Sequence, residues 1–182
     1  MPIIAIYGSS MSQPDSQDYI AARELGRVLA ENGYAVMSGG YAGIMGAVSQ
    51  GAADAEGKVI GVTTTLLENL RGAEANQWLT EKIPYEKLSD RIIYLVTQAD
   101  GYIVMPGGLG TLTELTLVWE LIRTGDIPKR PIILYGEYWQ QLIAPMRELP
   151  YFKADAWNLM QTAHAPQDVI QILQSGADSN DE

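Results

Sequence analysis

No cysteine occurs anywhere in the 182 residues, and histidine occurs once, at position 164. The first absence excludes disulfides, thiolate metal sites and a cysteine nucleophile. The second excludes a metal site built from several histidines and leaves His164 as the sole histidine available to a triad. It lies beside Pro166, outside every motif described below, and is read as a bystander. Positive charge is also scarce, with 12 Lys and Arg against 22 Asp and Glu and a net charge of −10. A surface for nucleic acid needs the opposite balance. A small anion is still within reach, because backbone N–H groups and a few arginines suffice to hold one phosphate. No apolar run approaches the ~20 residues of a membrane span. The opening MPIIAIYGSS lacks both the basic segment and the apolar length of a secretory signal. The expectation is a soluble, cytoplasmic protein without a membrane or nucleic-acid partner.

What is present is an alternation of short apolar runs and helical patterns. Strands are expected at Ile3 to Tyr7, Tyr34 to Met37, Lys58 to Val62, Gly101 to Met105 and Pro131 to Tyr135. Helices are expected from about Ser16 to Glu31, ended by Asn32-Gly33, and from the glycine run at 39 to 46 through Ala55. Pro84 is expected to start a further helix, with Leu88, Ile92, Leu95 and Val96 on one stripe. Others follow at Thr111 to Arg123, Tyr138 to Arg147 and Pro166 to Gln174, while residues 64 to 82 resist assignment. The strands are continuous apolar runs, as burial on both sides requires. The pattern predicts an α/β fold with a Rossmann-like parallel sheet and helices on both faces. It fills one nucleotide-binding domain over residues 1–175, followed by a polar tail at 176–182.

Three expected strand ends carry small residues: GSS at 8 to 10, SGGYAGIMG at 38 to 46 and PGGLGT at 106 to 111. In open α/β sheets ligands bind beyond the carboxyl ends of the strands. Glycine lets the backbone approach a ligand, and a helix N-terminus adds free N–H groups with partial positive charge. Gly8, Ser9, Ser10, Gly39, Gly40, Gly43, Gly107, Gly108, Gly110 and Thr111 are therefore candidates for holding a nucleotide phosphate. Tight turning of the chain would explain any one loop equally well, and simple loop capping would explain Ser9 and Ser10. Three such loops on one edge favour the phosphate. There is no GxxxxGK[ST] motif, GSSMSQP replaces GxGxxG after the first strand, and no acid ends the second strand. A Walker-type site and a dinucleotide dehydrogenase are both disfavoured.

PGGLGTLTE at 106 to 114, with the upstream GSS and GGYAGIMGAVSQGA, resembles the LOG (Lonely Guy) family and its PGGxGTxxE pattern. The resemblance runs from about Ile3 to Trp139. It implies a Rossmann-like fold, usually a dimer, and a phosphoribohydrolase. Such enzymes cleave the N-glycosidic bond of nucleoside 5′-monophosphates, cytokinin ribotides and AMP among them, to free base and ribose 5-phosphate. By position it implies catalytic roles for Glu114, which ends the motif, and for Arg91 in LSDRI. The family often carries a Met-His-Glu-Arg-Lys run around that arginine, whereas Leu88, Ser89, Asp90 and Ile92 surround it here. Ser38 stands where many members have the first of three glycines. Other distant relatives are described as carriers of molybdenum cofactor, so a non-catalytic nucleotide-binding or carrier protein is the alternative. Some relatives have been labelled lysine decarboxylases. That chemistry would need a Schiff-base lysine for pyridoxal phosphate, and no glycine loop carries a lysine. No metal or redox cofactor is expected.

Each singled-out residue also has a plainer reading. Thr111-Leu-Thr-Glu114 has the spacing of a capping box, in which the glutamate reaches back to its own helix N-terminus. Arg91 sits at the border of an apolar stripe, where arginines usually snorkel to water. Lys87 and Asp90 project away from that stripe and are read as solvated, and Met45 as core or pocket wall. Leu115, Val118, Trp119 and Ile122 make one helix apolar over more than one face, which means deep burial or, as favoured here, a dimer contact. Base recognition is expected in the stretch 64 to 82 and from a partner subunit.

Overall fold

The computed structural model describes residues 1–178, apart from the side chains of Arg71, Ala177 and Asp178. Seven strands form one sheet: β1 (Ile3–Tyr7), β2 (Ala35–Ser38), β3 (Val59–Thr64), β4 (Glu81–Tyr85), β5 (Gly101–Val104), β6 (Ile132–Tyr135) and β7 (Met160–Ala163). Eight helices connect or follow them: α1 (Gln17–Glu31), α2 (Ile44–Asp54), α3 (Thr65–Arg71), α4 (Leu88–Thr97), α5 (Leu109–Thr124), α6 (Tyr138–Met146), α7 (Ala154–Trp157) and α8 (Pro166–Asp178). All pairs are parallel, in the order β4-β3-β2-β1-β5-β6-β7. The chain winds outward from β1 to β4, then crosses back to place β5 on the free side of β1. The loops after β1 and β5 therefore part at the point where strand order reverses.

Alternation along the strands divides the core in two. Ile4, Ile6, Val36, Val59, Ile103 and Ile133 pack with α1, α2 and α8. Ala5, Tyr7, Met37, Ile60, Val62, Tyr102 and Val104 pack with α4, α5, α6 and α7. The central strands are buried along their length except at Ile3, the first residue of β1, as their unbroken apolar runs require.

On the first face α1 and α2 meet backbone to backbone. A Cβ on Gly26 would overlap the carbonyl of Val48, and one on Gly51 would overlap the carbonyl of Arg23. Neither carbonyl can yield without moving its helix. Gly51→Ala is expected to destabilise the protein by about 2 kcal/mol, as overpacked cores generally do. A drop in the urea midpoint at unchanged slope would show it; an unaltered midpoint would mean that the helices slide apart freely.

Three expectations change. Residues 64 to 82 hold α3, capped by the Thr64 hydroxyl and closed by left-handed Gly72, and then begin β4. Pro84 does not start a helix; it lies within β4, an edge strand paired only to β3, and α4 begins at Leu88. An edge strand tolerates the missing N–H. The polar stretch at the end is partly helical, because α8 runs to Asp178, and residues 179–182 lie outside the described residues. No described helix is long and apolar enough to cross a membrane.

Candidate active site

The three glycine loops are bonded to one another at the carboxyl edge of the sheet. Ser9 is the hub: its N–H donates to the Pro106 carbonyl at 2.9 Å, and its own carbonyl accepts from the Ile44 N–H at 2.8 Å. Gly43, at φ +66°, turns the second loop into α2, where a side chain would strike the backbone of Ser9 and Ser10. Gly8 packs on the Ile44 side chain. The Ser9 hydroxyl accepts from the Met11 N–H at 3.0 Å, closing its own loop, while Ser10 is exposed. Gly39 and Gly40 are buried, and Gly40 is tied down by the Asn76 N–H, which donates to its carbonyl at 2.9 Å.

Helix α5 opens differently. Its N-cap is Gly108, no side chain caps it, and its first residues Leu109 and Gly110 are exposed. Its leading N–H groups thus present partial positive charge at the strand switch, the arrangement that binds anions. Gly107 lies just before the cap, its carbonyl accepting from the Tyr138 hydroxyl at 3.0 Å, and Thr111 is buried behind it. Because the helix starts at Leu109, Thr111 is the third helical residue and Glu114 the sixth. The capping box implied by TLTE is therefore out of register, and Glu114 makes no such bond.

Glu114 instead meets Arg91. Their side chains are 12% and 7% exposed, and Nη1 of Arg91 lies 4.0 Å from Oε1 of Glu114. Arg91 does not snorkel outward. Its Nε donates to the Val62 carbonyl at 2.7 Å, near the carboxyl end of β3, and its guanidinium lies 5.7 Å from the centre of the Tyr41 ring. Any side chain on Gly39 would overlap Nη2, so glycine at 39 makes room for the arginine. Burial pushes the Glu114 carboxyl up to about 7, with the Arg91 charge pulling the other way. Burial likewise lowers the Arg91 value, opposed first by Glu114. Buried Tyr7 donates to the Leu95 carbonyl at 3.3 Å, and its phenol is pushed up by burial and then by the charge of Glu114.

The remaining residues fall plainly. Lys87 and Asp90 are exposed. Met45 is half-buried, its sulfur against Gly39. His164 is exposed, with Nε2 3.5 Å from a Glu137 carboxylate oxygen. Leu115, Val118, Trp119 and Ile122 are all buried within the chain. Trp119 packs on Phe152 and Trp157 and donates from Nε1 to the Ala156 carbonyl at 2.8 Å. The dimer contact expected at these four residues is corrected to burial within the chain, where Trp119 reaches α7. Tyr7, Tyr41 and Asn76 were not singled out in the sequence. Tyr41 had the one usable signal, an aromatic residue inside a glycine loop.

The profile of a family described as "Possible lysine decarboxylase" matches residues 45–173. A protein of Oryza sativa subsp. japonica described as a probable cytokinin riboside 5′-monophosphate phosphoribohydrolase is 30% identical over 98% of this chain and 72% of its own length. A cytokinin riboside 5′-monophosphate phosphoribohydrolase of Mycobacterium marinum is 30% identical over 64% of this chain and 61% of its own. Among solved structures, the molybdenum cofactor binding protein from Rippkaea orientalis superposes with a TM-score of 0.74 at 26% identity, covering 96% of each chain. The decarboxylase description does not fit the residues present. The chain's lysines are Lys58, Lys82, Lys87, Lys129 and Lys153, and the groups that meet at the sheet edge are an arginine and a glutamate, with no amine to form a Schiff base. By profile, relatives and fold, the chain belongs to the LOG family.

Proposed function

We propose that this chain hydrolyses the N-glycosidic bond of a nucleoside 5′-monophosphate, AMP or a cytokinin ribotide, to free base and ribose 5-phosphate. The observation that carries the reading is the buried Arg91–Glu114 pair, 4.0 Å apart, which joins α4 to α5, the helix whose N-terminus is open. From Leu109 to Glu114 the helix rises roughly 7 Å. A 5′-phosphate held by the leading N–H groups would thus bring its ribose toward Glu114.

Breaking the bond between C1′ and the base nitrogen leaves positive charge on the ribose as the base departs with the bonding pair. The Glu114 carboxylate, facing that ring, stabilises the charge, takes a proton from the water that adds to C1′ and releases it to solvent, while the departing base takes up a proton from solvent to become the neutral free base. Its value of about 7 suits a base that must accept a proton and release it again near neutral pH. The Arg91 guanidinium keeps part of the Glu114 population ionised and offers Nη donors to the substrate. Gly107, Gly108, Gly110 and Thr111 form the phosphate end; Gly8, Ser9, Ser10, Gly39, Gly40 and Gly43 shape the floor beneath the sugar. One sheet supports reading residues 1–175 as a single nucleotide-binding domain. A cytoplasmic homodimer goes with the family assignment, with the buried side chains of Leu115, Val118, Trp119 and Ile122 left to the core.

The test is release of free base from AMP and from cytokinin ribotides, followed by chromatography, for the wild type and Glu114→Gln. Release by the wild type and far slower release by the variant are expected; equal release by both proteins, or none by either, overturns the proposal. A second reading, a nucleotide or cofactor carrier without turnover, is favoured by the likeness to the molybdenum cofactor binding protein. It predicts tight calorimetric binding with the nucleotide recovered intact.

A further inference from the structure

Arg91 reaches Glu114 through a support that the family motif does not name. Its Nε–H is spent on the Val62 carbonyl at 2.7 Å, which fixes one edge of the guanidinium and leaves the Nη groups facing inward. One face lies over the Tyr41 ring, 5.7 Å from the centroid. A guanidinium over a tyrosine face is attracted by the ring quadrupole, and more strongly in a desolvated site. The ring itself is immobilised. The Tyr41 hydroxyl donates to the Thr64 carbonyl at 3.1 Å and accepts from the Thr64 N–H at 2.8 Å. The Tyr41 carbonyl accepts from the Asn76 side-chain amide at 3.1 Å, and that amide also reaches the Ser49 hydroxyl at 3.3 Å. Tyr41 is 6% exposed.

This is more than packing requires. A buried tyrosine needs one partner for its hydroxyl; here donor and acceptor functions both close on one residue at the carboxyl end of β3. The ring is thereby set at a fixed height beside Val62, the residue that receives the Arg91 Nε–H. Ring and carbonyl together define where the guanidinium sits, and the small residue at 39 defines how far its Nη2 can advance.

We propose that Tyr41 is a positioning residue that locks the Arg91 guanidinium toward Glu114, with Asn76 and Thr64 holding Tyr41 in turn. The inference rests on the function proposed above for its catalytic meaning, and on geometry alone for the positioning. Two charged or titratable groups face the Glu114 carboxyl, Arg91 from α4 and Tyr7 from β1. Of these Arg91 holds the carboxyl value down, so loosening Arg91 lets it rise.

The test reads Glu114 directly, without substrate. Glutamate side-chain carboxyl carbons are labelled with ¹³C, and the Glu114 signal is identified by its loss in Glu114→Gln. It is then titrated in the wild type, Tyr41→Phe, Tyr41→Leu and Arg91→Ala. Tyr41→Leu is expected to raise the Glu114 midpoint by about half a unit or more, in the direction of Arg91→Ala. Tyr41→Phe, which keeps the ring but frees it from Thr64, is expected to raise it by less. In an Arg91→Ala background, Tyr41→Leu is expected to add nothing. An unchanged midpoint in Tyr41→Leu, or in Tyr41→Phe if the leucine variant does not fold, overturns the proposal. So does an equal rise in the absence of Arg91. Should the wild type release no base while these midpoints move as expected, the hydrolase reading fails and the positioning of Arg91 stands.

Discussion

Glu114→Gln is expected to lower kcat for base release by about 10²–10⁴-fold, the usual weight of one general base. KM is expected to stay within a few-fold of the wild type, because the proposed phosphate site is the N-terminus of α5 and not the carboxyl. The split separates two roles. A glutamate that only braced its helix would lower stability and leave kcat near the wild-type value. The geometry already weighs against bracing: helix α5 begins at Leu109, so Glu114 is too far along it to reach back to the first N–H groups. The substitution keeps the shape of the side chain and removes the proton-accepting oxygen, so lost turnover in a folded protein points to the chemistry. Steady-state kinetics on a single ribotide measures both constants. A fall in kcat/KM arising wholly from KM would assign Glu114 to binding.

The same substitution is expected to stabilise the protein at pH 8 by about 3 kcal/mol and to leave it nearly unchanged at pH 4. Burial raises the folded value of Glu114 to about 7, above the ~4.3 of an unfolded chain. A raised value means that the fold prefers the neutral acid. That contribution is complete below about 4.3 and is lost as pH climbs through 7. Glutamine mimics the neutral acid at every pH and forgoes the loss. With a side chain only 12% exposed, little of the effect is screened by water. Guanidinium unfolding of both proteins at the two pH values measures it. Equal midpoints at pH 8 would mean that Glu114 ionises in the fold as freely as in water.

The wild type would then carry a carboxylate that costs stability at the pH where it works. Such a cost is usual at catalytic sites, where groups are held in states that the fold alone would not choose.

How much of this was visible in the sequence depended on burial. The five strands read from their apolar runs are the central ones, β1, β2, β3, β5 and β6, buried on both faces. The two that were missed, β4 and β7, form the sheet's edges. EKIPY and MQTA carry polar residues there, as edge strands do, and so show no continuous apolar signal. Pro84 misled for the same reason, since an edge strand admits a proline that a central strand would reject. The glycine loops and the pairing of Arg91 with Glu114 were legible through the motif. The arginine's direction was not. Spacing placed it on the border of a stripe, and only the crossing of α4 over β3 decides that a border residue turns inward to Val62. Tyr41 stood out only as an aromatic residue in a glycine loop, and its contacts were not legible because its partners, Thr64, Asn76 and Arg91, lie 23, 35 and 50 residues further along the chain. Trp119 was misjudged because the helix that covers it, α7, is only four residues long and leaves no periodic trace.

The central claim is that the ionised Glu114 carboxylate, held by Arg91, hydrolyses a nucleotide's glycosidic bond. Its most direct test is the rate of base release by the wild-type protein between pH 5 and 9, with ribotide at saturation. The expected result is stoichiometric free base and ribose 5-phosphate, with a rate that climbs through a midpoint near 7 and levels off above it. Nucleotide recovered intact at every pH, or base released at a rate indifferent to pH across that range, would contradict it.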